Sequence, residues 1–320
     1  MMKRIAVLTS GGDSPGMNAA VRAVVRTALY HGMETIGVMR GFEGLMDGDC
    51  MTLDRAAVGG IIHRGGTILR TARSERFKTE AGQRAALVQM ENRKVDALVV
   101  IGGDGSFRGA LELEKKGLPV IGIPGTIDND IAGTDVTIGY DTAVNTALSA
   151  VQKLRDTASS HDRLFIVEVM GRDAGFLALE VAVSTGAEYV VVPEIQLDIG
   201  KLCDHLHYSR KRGKTHSLII LAEGVMSALE LKNRLQDTGG YDARVTVLGY
   251  IQRGGSPSSF DTVLASRMGA FAVESLLEGK SGSMVCSICG QMTLCPLEDA
   301  WKSPKYLNPE LLALVEKLSV

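Results

Sequence analysis

The fold is decided by the opening segment, residues 4–25, which reads RIAVLTSGGDSPGMNAAVRAVV. An apolar run at 4–8 is followed by a glycine-rich turn and then by apolar residues at three- and four-residue steps. The short run is typical of a strand buried on both faces, and the later spacing places one apolar stripe along a helix. Ser14 and Pro15 predict a helix cap followed by proline in the first turn. The segment therefore predicts a strand, a tight turn and a helix.

The same alternation continues along the chain. Further apolar runs predict strands at 35–39, 96–101, 119–123, 163–169, 188–192, 217–222 and 244–248. Helical spacing recurs between them, clearly over 144–154, and a final docking helix is expected over 307–318. Strands that alternate with helices predict an α/β protein with right-handed crossovers and mostly parallel, doubly wound sheets.

The composition limits the kinds of protein that this chain can be. Its 320 residues suffice for about two domains, and 45% of them are hydrophobic, so sizeable cores can form. The 35 basic and 37 acidic residues leave a net charge of −2, which provides no basic field for nucleic acid. Aromatic residues make up only 5%, which argues against an aromatic sugar-binding platform.

The targeting and cysteine patterns favour a cytoplasmic protein. The first apolar run is too short for a signal peptide, and no stretch approaches the roughly 18 apolar residues of a membrane-spanning helix. Cys286 and Cys289 have C-x-x-C spacing, but no histidine or second cysteine pair completes a metal set. We expect reduced thiols and no membrane partner.

Candidate site residues follow the predicted strands, because ligands bind at the carboxyl ends of strands in an open parallel sheet. Two glycine-rich turns, at 9–16 and 102–106, run into helices, and such turns expose backbone N–H groups that hold phosphate. An acidic loop at 124–130 follows a third strand, and a further turn at 170–175 follows a fourth. Together they predict a phosphate-binding site at adjacent strand ends.

The two turns match neither common nucleotide motif. The Gly-Lys-Ser/Thr runs at 213–215 and 279–281 lack the upstream glycine of a Walker A loop. The glycines at 103–109 are spaced one residue too widely for a dinucleotide fingerprint. A carboxylate inside the second turn, Asp104, would also repel a pyrophosphate unless a cation intervened, which suggests Mg²⁺ and a nucleoside triphosphate.

The acidic loop supplies the remaining parts of a phosphoryl-transfer site. Asp128 and Asp130 can provide a base for an alcohol and a metal contact. Cations that can spread charge are also available: Arg70, Arg73, Arg163, Arg172, Arg244 and Arg253. Arg172 and Arg253, each beside glycines at a strand end, are the strongest candidates among them.

At these residues the sequence resembles the bacterial ATP-dependent 6-phosphofructokinases, from about Ile5 to about Arg267. The motifs that carry the resemblance are long: LTSGGDSPGMNA (8–19), IGGDGS (101–106), PGTIDND (124–130), VMGR (169–172) and IQRGGSP (251–257). From about residue 281 onward the likeness fades.

The resemblance implies ATP-dependent phosphorylation of fructose 6-phosphate at its 1-hydroxyl, with two doubly wound domains and the active site between them. It makes Asp128 the base, assisted at the catalytic centre by Gly12, Arg73, Thr126 and Arg172. It assigns the ATP phosphates to Gly12, Arg73, Gly103, Asp104, Gly105 and Ser106, and Mg²⁺ to Asp104 and Asp130. It assigns the sugar phosphate to Thr126, Ile127, Asp128, Arg163, Met170, Gly171, Arg172, Glu223, Arg244, Tyr250 and Arg253.

The resemblance also implies regulation and assembly. Arg163 and Arg244 would act from a neighbouring subunit, so that a homotetramer completes each active site. An effector site for ADP or phosphoenolpyruvate would consist of Arg22, Arg26, Arg55, Arg155, Gly186, Glu188, Arg212 and Lys214. The domain limits implied are 1–138 with about 251–301 for ATP, and 139–250 with about 302–320 for the sugar phosphate.

Two positions differ from the family pattern, and two others indicate whether the phosphoryl donor is ATP or pyrophosphate. Tyr250 stands where a histidine is expected against the 6-phosphate, and Gly60 replaces an acidic residue of the effector site. Pyrophosphate-using relatives carry Asp at the position of Gly105 and Lys at that of Gly125, so the two glycines favour ATP.

Other functions remain to be weighed against this one. An NAD or lipid kinase shares the Gly-Gly-Asp-Gly turn but lacks the 124–130 loop. A catalytically dead, nucleotide-sensing subunit would be expected to have lost Asp128, Asp104 or Arg172, and all three are present. A pyrophosphate-dependent enzyme is the third alternative.

Overall fold

The computed structural model describes residues 2–159, 163–214 and 216–319, with the side chains of 157–159 left out. The chain forms two compact units. The first consists of Met1–Ile127, Ile131–Thr142 and Arg253–Lys305, and the second of Asp128–Asp130, Ala143–Gln252 and Tyr306–Val320. The domain limits stated above stay a prediction.

Strands and helices alternate along most of the chain. The strands are β1 Arg4–Thr9, β2 Glu34–Val38, β3 Cys50–Thr52, β4 Ala97–Gly102, β5 Val120–Pro124, β6 Leu164–Val169, β7 Tyr189–Val191, β8 Ser217–Ala222, β9 Ala243–Val247, β10 Ser283–Ile288 and β11 Gln291–Pro296. The helices are α1 Met17–Tyr30, α2 Gly41–Asp47, α3 Glu80–Asn92, α4 Asp104–Glu114, α5 Tyr140–Ser159, α6 Phe176–Thr185, α7 Ile199–Lys211, α8 Ala228–Gly239, α9 Ser259–Leu277, α10 Asp299–Lys302 and α11 Pro309–Leu318. Short 3₁₀ turns lie at Arg76–Lys78 and Gly249–Arg253.

The first unit contains a seven-stranded sheet in the order β11-β10-β5-β4-β1-β2-β3. Its five inner strands run parallel, and the edge strands β3 and β11 are antiparallel. Two hydrophobic clusters cover its faces. One contains residues of α1 and α9, and the other contains residues of α2, α3 and α4. The inner strands are almost entirely buried, which is why they read as continuous apolar runs.

The second unit contains a four-stranded parallel sheet in the order β7-β8-β6-β9. Its central strand, β6, pairs with both β8 and β9, and α7 and α8 pack on one face. Because β6 is central, the residues that follow Val169 lie at the carboxyl edge between two neighbouring strands.

The eight strands predicted from apolar runs are all present, with ends that differ by at most one residue. One helix start was wrong. The helix α1 begins at Met17 with Gly16 as its N-cap, at φ 104°, and no side chain caps it. Ser14 instead accepts, through its carbonyl oxygen, a hydrogen bond from Met17 N at 3.2 Å, so Ser14–Gly16 forms a turn before the helix.

Asp261 on α9 anchors the start of α5. Its carboxylate accepts hydrogen bonds from Gly139 N at 2.9 Å and from Thr142 N at 2.8 Å, and a third from Thr142 Oγ1 at 2.5 Å. Burial raises the pKa of this fully buried carboxyl, and the Thr142 hydroxyl bond opposes that rise. Asp261 thus serves as a cap supplied by another helix.

The strands β10 and β11 form a hairpin joined by a two-residue turn. Cys289 and Gly290 form the turn with φ of 49° and 76°, as expected for a tight hairpin connection. Cys289 is exposed there, whereas Cys286 is buried within β10. All five cysteines are free thiols. Among the described residues, no group of three or more His, Cys, Asp or Glu side chains could hold a metal ion, and no helix is long and apolar enough to cross a membrane.

Candidate active site

The two glycine-rich turns and the start of the acidic loop lie side by side in the first unit. Their strands are adjacent, since β1 pairs with β4 and β4 pairs with β5. Backbone hydrogen bonds join the turns directly: Ser10 N donates to Ile101 O at 2.9 Å, and Gly125 N donates to Gly102 O at 3.0 Å. The structure therefore brings the two glycine-rich turns and the start of the acidic loop to one edge of the sheet.

Close packing explains a glycine at this edge. A Cβ on Gly102 would lie 2.5 Å from both Ser10 O and Ser106 Oγ, so no side chain fits there. Gly103 precedes the first residue of α4, and having no side chain it leaves the N–H groups of that turn uncapped. Uncapped N–H groups at a helix N-terminus favour an anion.

Asp104 begins α4 at the same edge. Its carboxylate is partly exposed and lies 3.8 Å from the Nε atom of Arg108, one helical turn later. Ser106, in the same turn of helix, is buried against the glycine turn. Asp104 can therefore face solvent, or a solvated cation, while Ser106 fixes the turn.

The loop that carries Arg73 is tied to the first glycine turn. Thr71 Oγ1 donates to Gly11 O at 2.7 Å, and Thr9 Oγ1 donates to Arg70 O at 2.9 Å. Arg73 itself is exposed. Sequence reasoning missed the two threonines, because nothing in their spacing indicates a contact across 60 residues.

Arg253 lies in the first unit, against Gly12. A Cβ built on Gly12 would be 2.7 Å from the Nη1 atom of Arg253, so only glycine leaves room for the guanidinium. The expectation from the resemblance was a contact with the sugar 6-phosphate. In this structure the guanidinium lies beside Gly12, in a turn expected to hold the donor phosphates, and its contact with the 6-phosphate stays a prediction.

The acidic loop continues from Gly125 into a tightly held segment. Thr137 Oγ1 donates to Thr126 O at 2.6 Å, and Ile127, Asp128 and Asn129 are all buried. Asn129 has φ 52°, which places the two flanking aspartates on either side of a sharp bend. Asp128 is therefore a buried carboxylate and not part of a solvated surface turn.

Asp128 pairs with Arg172 within the second unit. The Nε atom of Arg172 lies 3.2 Å from Asp128 Oδ2, and the Asp128 side chain is only 3% exposed against 44% for Arg172. A buried carboxylate thus faces the edge of a guanidinium that also reaches solvent. A carboxylate and a guanidinium are the types of group that can supply a base and a charge-stabilising cation in the transfer of a phosphoryl group to an alcohol.

Arg172 is carried by a tight turn after β6, Met170–Ala174, here called the Arg172 turn. Ala174 N donates to Gly171 O at 3.0 Å, and φ is 142° at Gly171 and 52° at Arg172. The Oε1 atom of Glu223 accepts from Gly171 N at 3.3 Å and from Arg172 N at 3.0 Å. Glu223, expected at the sugar, is therefore also a backbone acceptor.

The remaining predicted sugar-phosphate residues of the second unit are exposed on its surface. Tyr250 is 80% exposed, Arg163 precedes β6, and Arg244 lies on the edge strand β9. Arg244 pairs with Asp242 at 3.4 Å. Arg163 lines a small cavity of about 300 Å³ together with Lys214 and Asp242.

The predicted effector residues fall into two groups, one in each unit. In the first unit, Arg26 Nη2 donates to Arg55 O at 3.1 Å, and Arg22 lies one turn earlier on α1. In the second unit, Arg155 Nη2 donates to Gly186 O at 2.7 Å, and Lys214 Nζ lies 3.1 Å from Glu188 Oε1.

The second group adjoins a cavity of about 730 Å³. Glu188, Arg212 and Lys214 line it, together with aromatic and aliphatic residues that sequence reasoning missed: Tyr189, Ile195, His205, Tyr208, Leu312 and Val315. These residues come from three separate segments, so no local sequence pattern indicates that they line one cavity.

Comparison with known proteins agrees with this architecture. A family model described as phosphofructokinase matches residues 4–276. The chain is 52% identical over 319 residues to an ATP-dependent 6-phosphofructokinase of Shouchella clausii, with both chains fully covered. It is 58% identical over 284 residues to one of Oceanobacillus iheyensis, covering 89% of each chain.

Solved structures of similar fold include larger and more distant proteins. A phosphofructokinase of Saccharomyces cerevisiae superposes with a TM-score of 0.87 and 36% identity, over 99% of this chain and 47% of that one. A pyrophosphate-dependent phosphofructokinase of Marinobacter aquaeolei shares the fold, with a TM-score of 0.84 over 97% of this chain and 86% of that one, at 23% identity. By sequence over its whole length, this chain belongs to the phosphofructokinase family.

Proposed function

We propose that this chain catalyses direct transfer of the γ-phosphoryl group of ATP to the 1-hydroxyl of fructose 6-phosphate, with Asp128 as the base. The overall activity, ATP-dependent phosphorylation of fructose 6-phosphate in glycolysis, follows from full-length relatives that are more than half identical. The observation that carries the mechanism is the buried Asp128 carboxylate with Arg172 Nε at 3.2 Å.

The proposed step is a single displacement. Asp128 takes the proton of the 1-hydroxyl as the sugar oxygen bonds to the γ-phosphorus, and the bond from that phosphorus to the bridging oxygen breaks to release ADP. Arg172, with Arg73, stabilises the negative charge on the transferring group. Thr126, Ile127, Met170, Gly171 and Glu223 hold the sugar. Arg163, Arg244, Tyr250 and Arg253 hold the 6-phosphate.

The donor side uses backbone groups and one carboxylate. Gly12, Gly103, Gly105 and Ser106 hold the ATP phosphates at the joined turns of β1 and β4. The partly exposed Asp104 carboxylate at the start of α4 fits Mg²⁺, since this ion usually binds one or two carboxylates together with substrate phosphates. Asp104 and Asp130 would hold it, and when bound it neutralises phosphate charge.

Assembly and regulation complete the proposal. A homotetramer in which Arg163 and Arg244 serve a neighbouring subunit is supported by the exposure of both residues in the single chain. An effector site for ADP or phosphoenolpyruvate at Arg22, Arg26, Arg55, Arg155, Gly186, Glu188, Arg212 and Lys214 is supported by the cavity beside the last of these residues. The cytoplasm is the compartment in which such an enzyme would act.

A coupled assay on fructose 6-phosphate with ATP or with pyrophosphate tests the donor. We expect turnover with ATP and little with pyrophosphate. Turnover with pyrophosphate alone would refute the proposed donor, and no turnover with either would refute the proposed reaction.

Substitution of the base tests the mechanism. We expect Asp128→Asn to lower kcat by roughly 10²–10⁴-fold, the usual share of a general base, while fructose 6-phosphate still binds. Asp173→Asn, an exposed carboxylate in the same turn as Arg172, is the matched control and should keep normal kcat. Near-normal turnover by Asp128→Asn would show that another group takes the proton.

A further inference from the structure

A buried glutamine contacts the Arg172 turn from a distant part of the second unit. Gln252 lies in the 3₁₀ turn Gly249–Arg253 and has no solvent exposure. Its Oε1 atom accepts a hydrogen bond from Met170 N at 2.9 Å. The side chain therefore joins the segment after β9 to the first residue of the Arg172 turn.

Two side chains together hold three successive backbone N–H groups of this turn. Gln252 accepts from Met170, and Glu223 accepts from Gly171 and Arg172. Gly224 also lies against the turn, since a Cβ there would be 2.1 Å from the carbonyl oxygen of Arg172. Side chains and close backbone contacts, rather than a sheet ladder, thus fix the conformation of this turn.

The turn needs such support because its backbone is unfavourable. Arg172 has φ 52°, a region that residues with a Cβ seldom adopt. Its backbone sets where the side chain starts, and that side chain pairs with Asp128 through Nε at 3.2 Å. The direction of Arg172 toward Asp128 therefore depends on the backbone beneath it.

The NH₂ group of the Gln252 carboxamide is buried and makes no hydrogen bond to the described residues. A methionine of similar length would avoid the cost of burying that group but would leave Met170 N–H without its acceptor. The one bond that Gln252 makes is thus the feature that distinguishes it from an apolar residue at this position.

We propose that Gln252 is a positioning residue for catalysis, which holds the Arg172 turn so that the guanidinium faces Asp128. This inference rests on the proposed function for its effect on turnover. It adds to that function a residue that touches neither substrate nor the reacting groups.

Two variants separate positioning from stability. Gln252→Met removes the acceptor at similar volume, and Gln252→Glu keeps an oxygen at the position of Oε1. Val167→Ala, a fully buried change in β6 that makes no contact with the turn's N–H groups, is the control for lost stability.

We expect Gln252→Met to lower kcat by roughly 5- to 100-fold, because without this acceptor the turn is less often in the conformation in which Arg172 faces Asp128. The KM for ATP should stay within about twofold, and Gln252→Glu should recover most of the lost kcat. Val167→Ala should lower the melting temperature with normal kcat. A kcat within twofold of wild type for Gln252→Met, or an equal loss in all three variants, would overturn the proposal.

Amide hydrogen exchange gives a readout that does not depend on activity. In the protein without substrates, peptides that contain 170–172 should exchange faster in Gln252→Met than in wild type, and Gln252→Glu should restore protection. Unchanged exchange in Gln252→Met would also overturn the inference. If the wild-type protein fails to phosphorylate fructose 6-phosphate, the proposed function fails, while the exchange experiment still tests Gln252.

Discussion

Gly105 and Gly125, at the turns proposed to hold phosphate, differ in how much room a side chain would have. A Cβ on Gly105 would meet no atom within 4 Å, whereas a Cβ on Gly125 would lie 3.2 Å from both Ile101 and Met17. Gly105 is therefore not required by packing. Its lack of a side chain leaves open space at the start of α4, which is the space that an ATP donor is expected to use.

An acidic side chain at position 105 should act on the donor without harming the fold. We expect Gly105→Asp to raise the KM for ATP by about tenfold or more, because a carboxylate near the phosphates repels them, and tenfold corresponds to only about 1.4 kcal/mol. The melting temperature should change little. Gly105→Ala is the uncharged control and should leave the KM for ATP near the wild-type value. Equal KM values for both variants would contradict the assigned site of the phosphates.

Some residues of the candidate site could be predicted from the sequence, and the contacts that hold them could not. The glycine turns and Asp128 could be predicted, because each follows a buried strand that is recognisable by itself. The contacts of Thr71 with Gly11 and of Gln252 with Met170 join segments 60 and 82 residues apart. The periodicity of apolar residues gives no information on contacts between such distant segments, so these contacts are seen only in the folded chain.

At the scale of elements, the link between α9 and α5 has an energetic consequence. We expect Asp261→Asn to lower the melting temperature clearly at neutral pH, because an amide presents one acceptor to the N–H groups of Gly139 and Thr142 and turns its own N–H donor toward one of them. The loss for one such unsatisfied group is about 1–3 kcal/mol. Glu274→Gln, an exposed change on the same helix, should have little effect.

The pH dependence follows from the direction of the Asp261 shift. The folded-state pKa is raised above the ordinary value of 3.8, so the folded protein holds this proton more tightly than the unfolded chain does. The part of the stability that depends on protonation of this group is therefore full below about 3.8 and is lost as pH rises through the raised pKa, while the hydrogen bonds from Gly139 and Thr142 remain. Melting temperatures across this pH range should show the wild-type advantage over Asp261→Asn shrinking as pH rises; a growing advantage would contradict the assignment.

The elements that were missed have short or weak signals. Strand β3 has three residues, and β10 pairs with β5 through only two residue pairs. The turn of the β10–β11 hairpin is Cys289-Gly290, which is not among the dipeptides that usually indicate a hairpin. The long inner strands were predictable because a strand buried on both faces needs apolar residues at every position. An edge strand is less buried, so its sequence need not be a continuous apolar run.

At the scale of the whole molecule, the proposed sharing of active sites can be tested by mixing subunits. Asp128→Asn should abolish transfer in its own subunit, and Arg244→Ala should weaken binding of the 6-phosphate in a neighbour's site. In hybrids of the two variants, about a quarter of the sites combine both wild-type residues, so activity should reappear. The hybrids should have a mass near four times 34.1 kDa.

Two measurements decide the outcome of this experiment. Native mass spectrometry, which separates tetramers by their content of the lighter Arg244→Ala subunit, confirms that hybrids have formed, and the coupled assay at limiting fructose 6-phosphate measures the regained activity. Hybrid tetramers without any gain in activity would show that Arg244 serves its own subunit. Wild-type protein that runs as a monomer at full activity would exclude shared sites altogether.

The exposed turn of the β10–β11 hairpin makes this protein convenient for site-specific labelling. Burial raises the pKa of the thiols of Cys50, Cys203 and Cys286, which slows their reaction with electrophiles near neutral pH. Cys289 is the most exposed of the five cysteines. A maleimide dye added in slight excess should therefore attach chiefly at Cys289, which peptide mass mapping would verify. The native chain can thus carry a fluorophore for single-molecule work without any cysteine being engineered in or out.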